Sequence, residues 1–346
     1  MILRHRSKAL LAVLALLAAL LTLVATGCGS DDSASGETGG GSGGGGNELT
    51  IVGYSVAREV NADLIKGFQA TSAGAGTSFK ESYAASGDQS RAVEAGQKAD
   101  YVVFSLEPDM TRLVDAGLVD TDWNAGPTKG MVSDSVVAFI TRKGNPKDIT
   151  TWEDLTQDGV EVITPNPFTS GAAQWNIVAA YQSQIDQGKT HDEALQYVDQ
   201  LFHNVPVQPA SGREALQVFN SGQGDVLISY ENEAIAAQQA GEDIDYVIPD
   251  QNLLIENPAA VVNTGNVAKA QAYLDYALSA DGQKIFGDHG YRPVDKQVAA
   301  QFDFPKPKQL STIAALGGWP KVKADFFDPE NGSITKIFQG QGIATE

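Results

Sequence analysis

From residue 49 onward, short apolar runs alternate with stretches whose apolar positions recur every three or four residues. That pattern is expected of strands followed by helices. Residues 49–53 read as a strand, and Val56, Val60, Leu64 and Phe68, spaced by four, mark the apolar stripe of a helix after Ser55. Residues 78–84 form the next strand and Ser86 opens a helix; 100–104 is a strand, followed by a helix over 107–116 that stops at Gly117. Strands follow at 136–140 and 160–164. Ser170 precedes a long helix with Trp175, Val178, Tyr181 and Ile185 on one face. Thr190 starts another helix, with Glu193 completing a capping box. Residues 205–207 read as a short strand, Ser211 opens a helix, and 226–228 is a strand running into Tyr230. This alternation predicts an α/β fold with mostly parallel strands. Trp152, Trp175 and Trp319 are most simply core.

The N-terminus stands apart. Arg4, His5, Arg6 and Lys8 precede an uncharged apolar run over 9–24. That run is shorter than the ~20 residues of a membrane-spanning helix and suits the core of a signal peptide. It ends in Ala25-Thr26-Gly27-Cys28, which resembles the lipobox of bacterial lipoproteins, with Ala25 where Leu is usual. In that motif the Cys becomes the lipidated first residue. A plain secretory signal would leave Cys28 as an unused free thiol, a rare outcome outside the cell. Residues 29–47, almost all Gly, Ser, Thr and Asp, cannot bury apolar area and form a tether. The expected organisation is therefore a signal peptide at 1–27, a lipidated Cys28 with its tether to 47, and a globular body held outside the membrane.

Composition narrows the function. The chain has 346 residues with 24 Lys+Arg against 43 Asp+Glu, a formal charge of −19. Removal of the signal peptide leaves 21 basic residues and a charge of −22. Such a balance argues against nucleic-acid binding. The single Cys excludes a disulfide framework and multi-thiolate metal sites. His191, His203 and His289 form no metal-spaced pair, and no phosphate-loop motif occurs. The only G-x-S-x-G match, at 40–44, falls in the tether, where no strand–helix elbow exists. Neither an enzyme nor a bound cofactor or metal is expected, and ATP hydrolysis would belong to a separate subunit.

Four predicted strand-to-helix corners carry a serine: Ser55, Ser86-Gly87, Ser170-Gly171 and Ser211-Gly212. Ser86 with Gln89, and Ser211 with Glu214, fit the capping box, and any one corner alone reads as an ordinary N-cap. As a set they lie where open α/β sheets bind ligands, beyond the carboxyl ends of the strands. Glycine inside a helix start lets a ligand approach the amides, and each N-terminus carries roughly +0.5 charge, so four supply about +2. Amides and hydroxyls can donate to a fully deprotonated oxyanion such as sulfate, whereas monohydrogen phosphate needs an acceptor for its proton. Only one corner has an acidic neighbour, Asp88, so a donor-only cage favours sulfate over phosphate.

At these corners the chain resembles the sulfate/thiosulfate-binding proteins of ABC import systems. The matching runs are 53–59 (GYSVARE), 85–90 (ASGDQS), 142–146 (RKGNP), 163–171 (ITPNPFTSG), 224–233 (GDVLISYENE), 290–293 (GYRP) and 317–319 (GGW). The resemblance implies a two-lobed, type II periplasmic-binding-protein fold that closes over a dehydrated oxyanion. Carried over by position, the donors are the amides of Ser55, Ser86, Gly171, Ala172 and Gly212 and both groups of Ser170, with Gly87 beside them. Tyr230 stands where sulfate-specific members have a Trp that reaches the ligand. Phe168 and Gln174 replace a frequent Lys and Arg, and Ala172 a second Gly. The implied lobes are 48–140 with 259–346, and 141–258, the chain crossing near 141–143 and returning near 254–258. The implied partners are sulfate or thiosulfate and the permease subunits of an importer, for a monomer anchored by lipid. Molybdate or phosphate is the alternative ligand.

Overall fold

The computed structural model describes residues 47–345; the expected signal peptide, Cys28 and the tether up to residue 46 lie outside the described residues. Strand β1 (Glu48–Tyr54) is buried from Leu49 on, as a near-continuous apolar run requires of a strand covered on both faces. Helix α1 (Arg58–Gln69) turns Val60, Leu64 and Phe68 inward. Then come β2 (Ser78–Ala84), α2 (Ser86–Glu94), β3 (Tyr101–Val103), α3 (Glu107–Asp115) and a long β4 (Met131–Arg142). After them run β5 (Val162–Ile163), α4 (Gly171–Asp186), α5 (His191–His203), α6 (Gly212–Asn220), β6 (Val226–Tyr230), α7 (Glu231–Gln239) and β7 (Ile244–Val247). The chain continues through β8 (Gln251–Val261), α8 (Val267–Leu278), α9 (Ala280–Asp288), α10 (Lys296–Ala299), β9 (Gln309–Ser311), α11 (Trp319–Phe326) and α12 (Ser333–Gly340).

The strand order is β2-β1-β3-β8-β4-β6-β5, with β7 added to β4 and β9 to β8. The three N-terminal strands are parallel, as are β5 and β6. β4 and β8 are antiparallel and pass between two halves of the molecule. Residues 131–136 of β4 pair with β8, whereas 137–141 pair with β6. On β8, residues 259–261 pair with β3 and 254–258 with β4. Two crossing strands thus link a half built on β1–β3 to a half built on β5–β7. The C-terminal helices pack on the second half: Trp319 stands edge-on to Trp175 at 4.7 Å, Tyr181 lies 4.8 Å from Phe326, and Phe202 lies 4.5 Å from Phe338.

Most predicted elements are present, with two local corrections. Residues 205–207 are not a strand. Pro206 and Pro209 lack amide hydrogens and so interrupt any ladder. Among the described residues the one bond to β5 from this side is the Val162 amide onto Asn204 O, just before the segment. The Ser86/Gln89 capping box is also absent, since Ala85 is the N-cap and Ser86 is already helical. The Thr190/Glu193 box is complete. Trp152, Trp175 and Trp319 are all buried. Among the described residues no helix is long and apolar enough to cross a membrane.

Candidate functional site

Each parallel strand of the first half ends at the junction with the second. After β1, a single 3-10 turn at Ser55–Ala57 buries Val56 and Ala57 and leaves Ser55 half-buried. After β2, the buried Ser86 hydroxyl is held from two sides: it donates to Asp109 Oδ2 at 2.6 Å and accepts the Ser105 amide at 3.0 Å. The Gln89 side chain instead donates from Nε2 to Ser82 Oγ at 3.1 Å. The Gly87 amide donates to Thr169 O at 3.2 Å, a bond from one half to the other.

The second half contributes the N-termini of α4 and α6 and the end of β6. Ser170 is the N-cap of α4, extended in backbone, with no side-chain cap bond. Its amide closes a turn onto Asn166 O at 2.9 Å, so the expectation of a free Ser170 amide is corrected; four residues from Asn166, it lies in hydrogen-bonding reach of that carbonyl. Among the described residues its hydroxyl has no hydrogen-bond partner. At Gly171 a Cβ would lie 2.8 Å from Cβ and Oγ of Ser105, and at Gly212 one would lie 3.3 Å from Val56 Cγ2 and 3.7 Å from Ala172 Cβ. The corners after β1, α4's start and α6's start therefore meet. Ser211 Oγ accepts the Glu214 amide at 3.2 Å, while the Glu214 carboxylate turns to the Ala210 amide at 3.1 Å, giving half of the expected box. Tyr230 is fully buried, with its hydroxyl 2.6 Å from Ser105 Oγ. Burial pushes its phenol well above the usual tyrosine range.

The expectation of a surround poor in carboxylates is corrected. Asp88 is exposed and pairs with Arg91 at 2.5 Å, and Glu231 pairs with Arg292 at 2.7 Å, so neither faces the corners. Two other acids do. Asp109 stands behind Ser86, and a Cβ on Gly212 would lie 3.3 Å from Glu233 Oε2. Burial raises both carboxyls above their ordinary values, while the Ser86 hydroxyl and Lys323 hold Asp109 down, and Arg213 and the Ser229 hydroxyl hold Glu233 down. Glu233 Oε1 is buried without a hydrogen-bond partner, 3.7 Å from Arg213 Nε. Arg213 also reaches across the halves to Glu59 at 2.5 Å. These acids were missed because each sits in the first turn of a helix, Asp109 after β3 and Glu233 after β6, outside the four serine corners.

The same omission hid Ser105. It follows β3 at a fifth serine-bearing corner, and it touches three predicted site residues: Ser86, Gly171 and Tyr230. The signal was present in Phe104-Ser105-Leu106, at another strand-to-helix junction. His191 and His203 are exposed, held by the Tyr181 hydroxyl and the Asp199 carbonyl. A surface cleft of about 930 Å³ beside Trp123 and Asp295 contains none of the corner residues.

Comparison with known proteins gives concordant findings. Residues 49–292 match the family described as bacterial extracellular solute-binding protein. A sulfate-binding protein of Synechococcus elongatus is 39% identical over 93% of this chain and 93% of its own. A thiosulfate-binding protein of Escherichia coli K12 is 34% identical over 84% of this chain and 90% of its own. Among solved structures, the sulfate-binding protein SubI of Mycobacterium tuberculosis H37Rv superimposes with a TM-score of 0.79 at 47% identity, covering 81% of this chain and 99% of that one.

Proposed function

The chain belongs to the bacterial extracellular solute-binding proteins, and on that premise we propose that it captures sulfate or thiosulfate and delivers it to an ABC importer. The observation that carries this reading is the meeting of helix N-termini from both halves: Gly212 faces Val56 and Ala172, and Gly171 faces Ser105. Such ends present amides and partial positive charge to one small volume, where a dianion is held without a lysine or arginine in contact. Ser55, Ser86, Gly87, Ser170, Gly171, Ala172, Gly212 and Tyr230 are the proposed ligand-side residues. The two halves act as lobes hinged at β4 and β8, and ligand shifts them towards closure. The protein works as a binding protein with no turnover of its own, as a monomer whose Cys28 is lipidated, outside the membrane and beside permease subunits with a separate ATPase. Loss of membrane association in Cys28→Ala tests the anchor.

A second oxyanion has a specific observation in its favour. The buried carboxylates Asp109 and Glu233 are acceptors, which a protonated phosphate requires. Calorimetry and thermal shift with sulfate, thiosulfate, molybdate and phosphate in sulfate-free buffer decide the matter. A specific ligand at ~1,000 times its dissociation constant adds about 4 kcal/mol of stability. Sulfate or thiosulfate should stabilise the protein most. Response to neither, or an equal response to phosphate, refutes the reading. Ser170→Asp should abolish binding by setting a carboxylate against the guest.

A further inference from the structure

Ser105 is where the second half grips the first. Within its own half its amide donates to Ser86 Oγ at 3.0 Å, and its carbonyl accepts Asn257 Nδ2 from β8 at 3.0 Å. From the other half, Trp175 Nε1 donates to the same carbonyl at 2.8 Å, and Tyr230 Oη lies 2.6 Å from its Oγ. The residue is 1% exposed and Tyr230 is 0% exposed, so no solvent shares these bonds.

We infer that Ser105 and Tyr230 form a two-hydroxyl bridge across the shut cleft that retains the bound oxyanion, Ser105 acting as the positioning residue for Tyr230. The inference rests on the oxyanion reading above. Two hydroxyls carry two hydrogens, and one of them lies between the oxygens. The other has no acceptor among the described residues, where each of the two oxygens has only the other as side-chain partner. A guest with acceptors alone supplies that missing partner, so bridge and guest satisfy each other. Because Ser105 is fixed to Ser86 and Asn257, it cannot follow Tyr230 when the halves part. The bridge therefore exists only in the closed form and acts on release of the guest.

Removing either hydroxyl leaves the other buried without its mate, which raises the sulfate dissociation rate by on the order of tenfold. Stopped-flow release of sulfate from the full chain tests this with Ser105→Ala, Tyr230→Phe and the double variant. The expected result is about tenfold faster release in each single variant, no further acceleration in the double, and an unliganded melting temperature equal to wild type. Unchanged release in Ser105→Ala overturns the bridge, as do single effects that multiply in the double. A matching fall in unliganded melting temperature also overturns it, since a merely structural serine would stabilise the free protein too. If wild-type protein binds none of the tested anions, the functional reading itself fails, which is a different result from a wild type that binds and a Ser105→Ala that behaves like it.

Discussion

Gly171→Ala isolates cleft closure from folding. Gly171 opens α4, where alanine suits the helix better than glycine and would stabilise it by up to about 1 kcal/mol. In the closed arrangement, however, the added methyl would stand 2.8 Å from Ser105 Cβ and Oγ and 2.8 Å from Leu106 Cδ2, all in the opposite half. Leu106 Cδ2 and Ser105 Oγ can swing aside, but Ser105 Cβ cannot retreat, because the Ser105 backbone is tied by its amide to Ser86 and by its carbonyl to Asn257. Overpacking of this kind costs about 1–3 kcal/mol. Charged to the closed form alone, that cost weakens ligand binding by roughly 5- to 150-fold. Calorimetry should show the loss in sulfate affinity, the unliganded melting temperature should hold or rise, and small-angle scattering should show less compaction on adding sulfate. Wild-type affinity with wild-type compaction would refute the claim that Gly171 meets Ser105 on closure.

Three further outcomes follow from the charges. Glu59→Gln removes the outer member of a partly exposed pair, worth at most about 1 kcal/mol, so sulfate affinity falls no more than about fivefold; Arg213→Gln also strips Glu233 of its cation and falls further, and equal losses would show that Glu233 does not feel Arg213. Glu233 has a carboxyl raised by burial and faces Arg213, Glu59, Tyr54, Tyr230 and Tyr291; its protonation relieves repulsion of a dianion, so sulfate affinity should rise as pH falls from 8 to 5 and Glu233→Gln should flatten that profile in calorimetry. Asp134 is pushed up to about 7 by burial and Glu256 against the pull of Arg292. Its folded form binds protons more tightly than the unfolded chain, so it favours folding fully below pH ~4, and that benefit, at most about 4 kcal/mol, is lost as pH rises to 7. Melting temperatures of Asp134→Asn should show a shallower decline over that range, and an unchanged slope would count against the shift.

The strand–helix alternation was readable because burial on both faces makes parallel strands such as β1 continuously apolar, while α1 repeats Val60, Leu64 and Phe68 at helical spacing. Ser55 was readable for the same reason, since it follows β1, whereas Ser86 follows the partly exposed β2 and Ser211 follows no strand. What each corner does with its hydrogen bonds was not readable. Ser86 looked like a cap, yet its hydroxyl is spent on Asp109 and the Ser105 amide, partners 23 and 19 residues away. The Ser170 amide looked free, yet it closes a turn on Asn166. Glu233 was visible in the sequence but not its direction, since its first-turn neighbour Glu231 points to Arg292 instead. Local pattern determines which segments form helices; only the packing of distant segments determines which donors remain unspent.

The same distance effect accounts for the basic residues that the family resemblance would place at Phe168, just before α4, and at Gln174 on it. Phe168 stands edge-on to Phe338 at 5.8 Å, so an apolar contact with α12 occupies one position. Gln174 donates to Pro167 O at 2.7 Å and accepts Lys323 Nζ at 3.4 Å. An ammonium thus reaches the start of α4 from α11 rather than from α4 itself. Burial lowers the pKa of Lys323, while the Asp109 carboxylate opposes that fall; the same ammonium lowers Asp109 in turn. Lys323 on α11 therefore attracts Asp109, whose carboxylate accepts the Ser86 hydroxyl, and the Ser105 amide donates to that same hydroxyl oxygen. Trp319, on the same helix as Lys323, packs on Trp175, whose indole donates to the Ser105 carbonyl. The Asp109 carboxylate, an acceptor only, fixes the Ser86 hydroxyl as its donor, and Lys323 stands as the cation behind that pair.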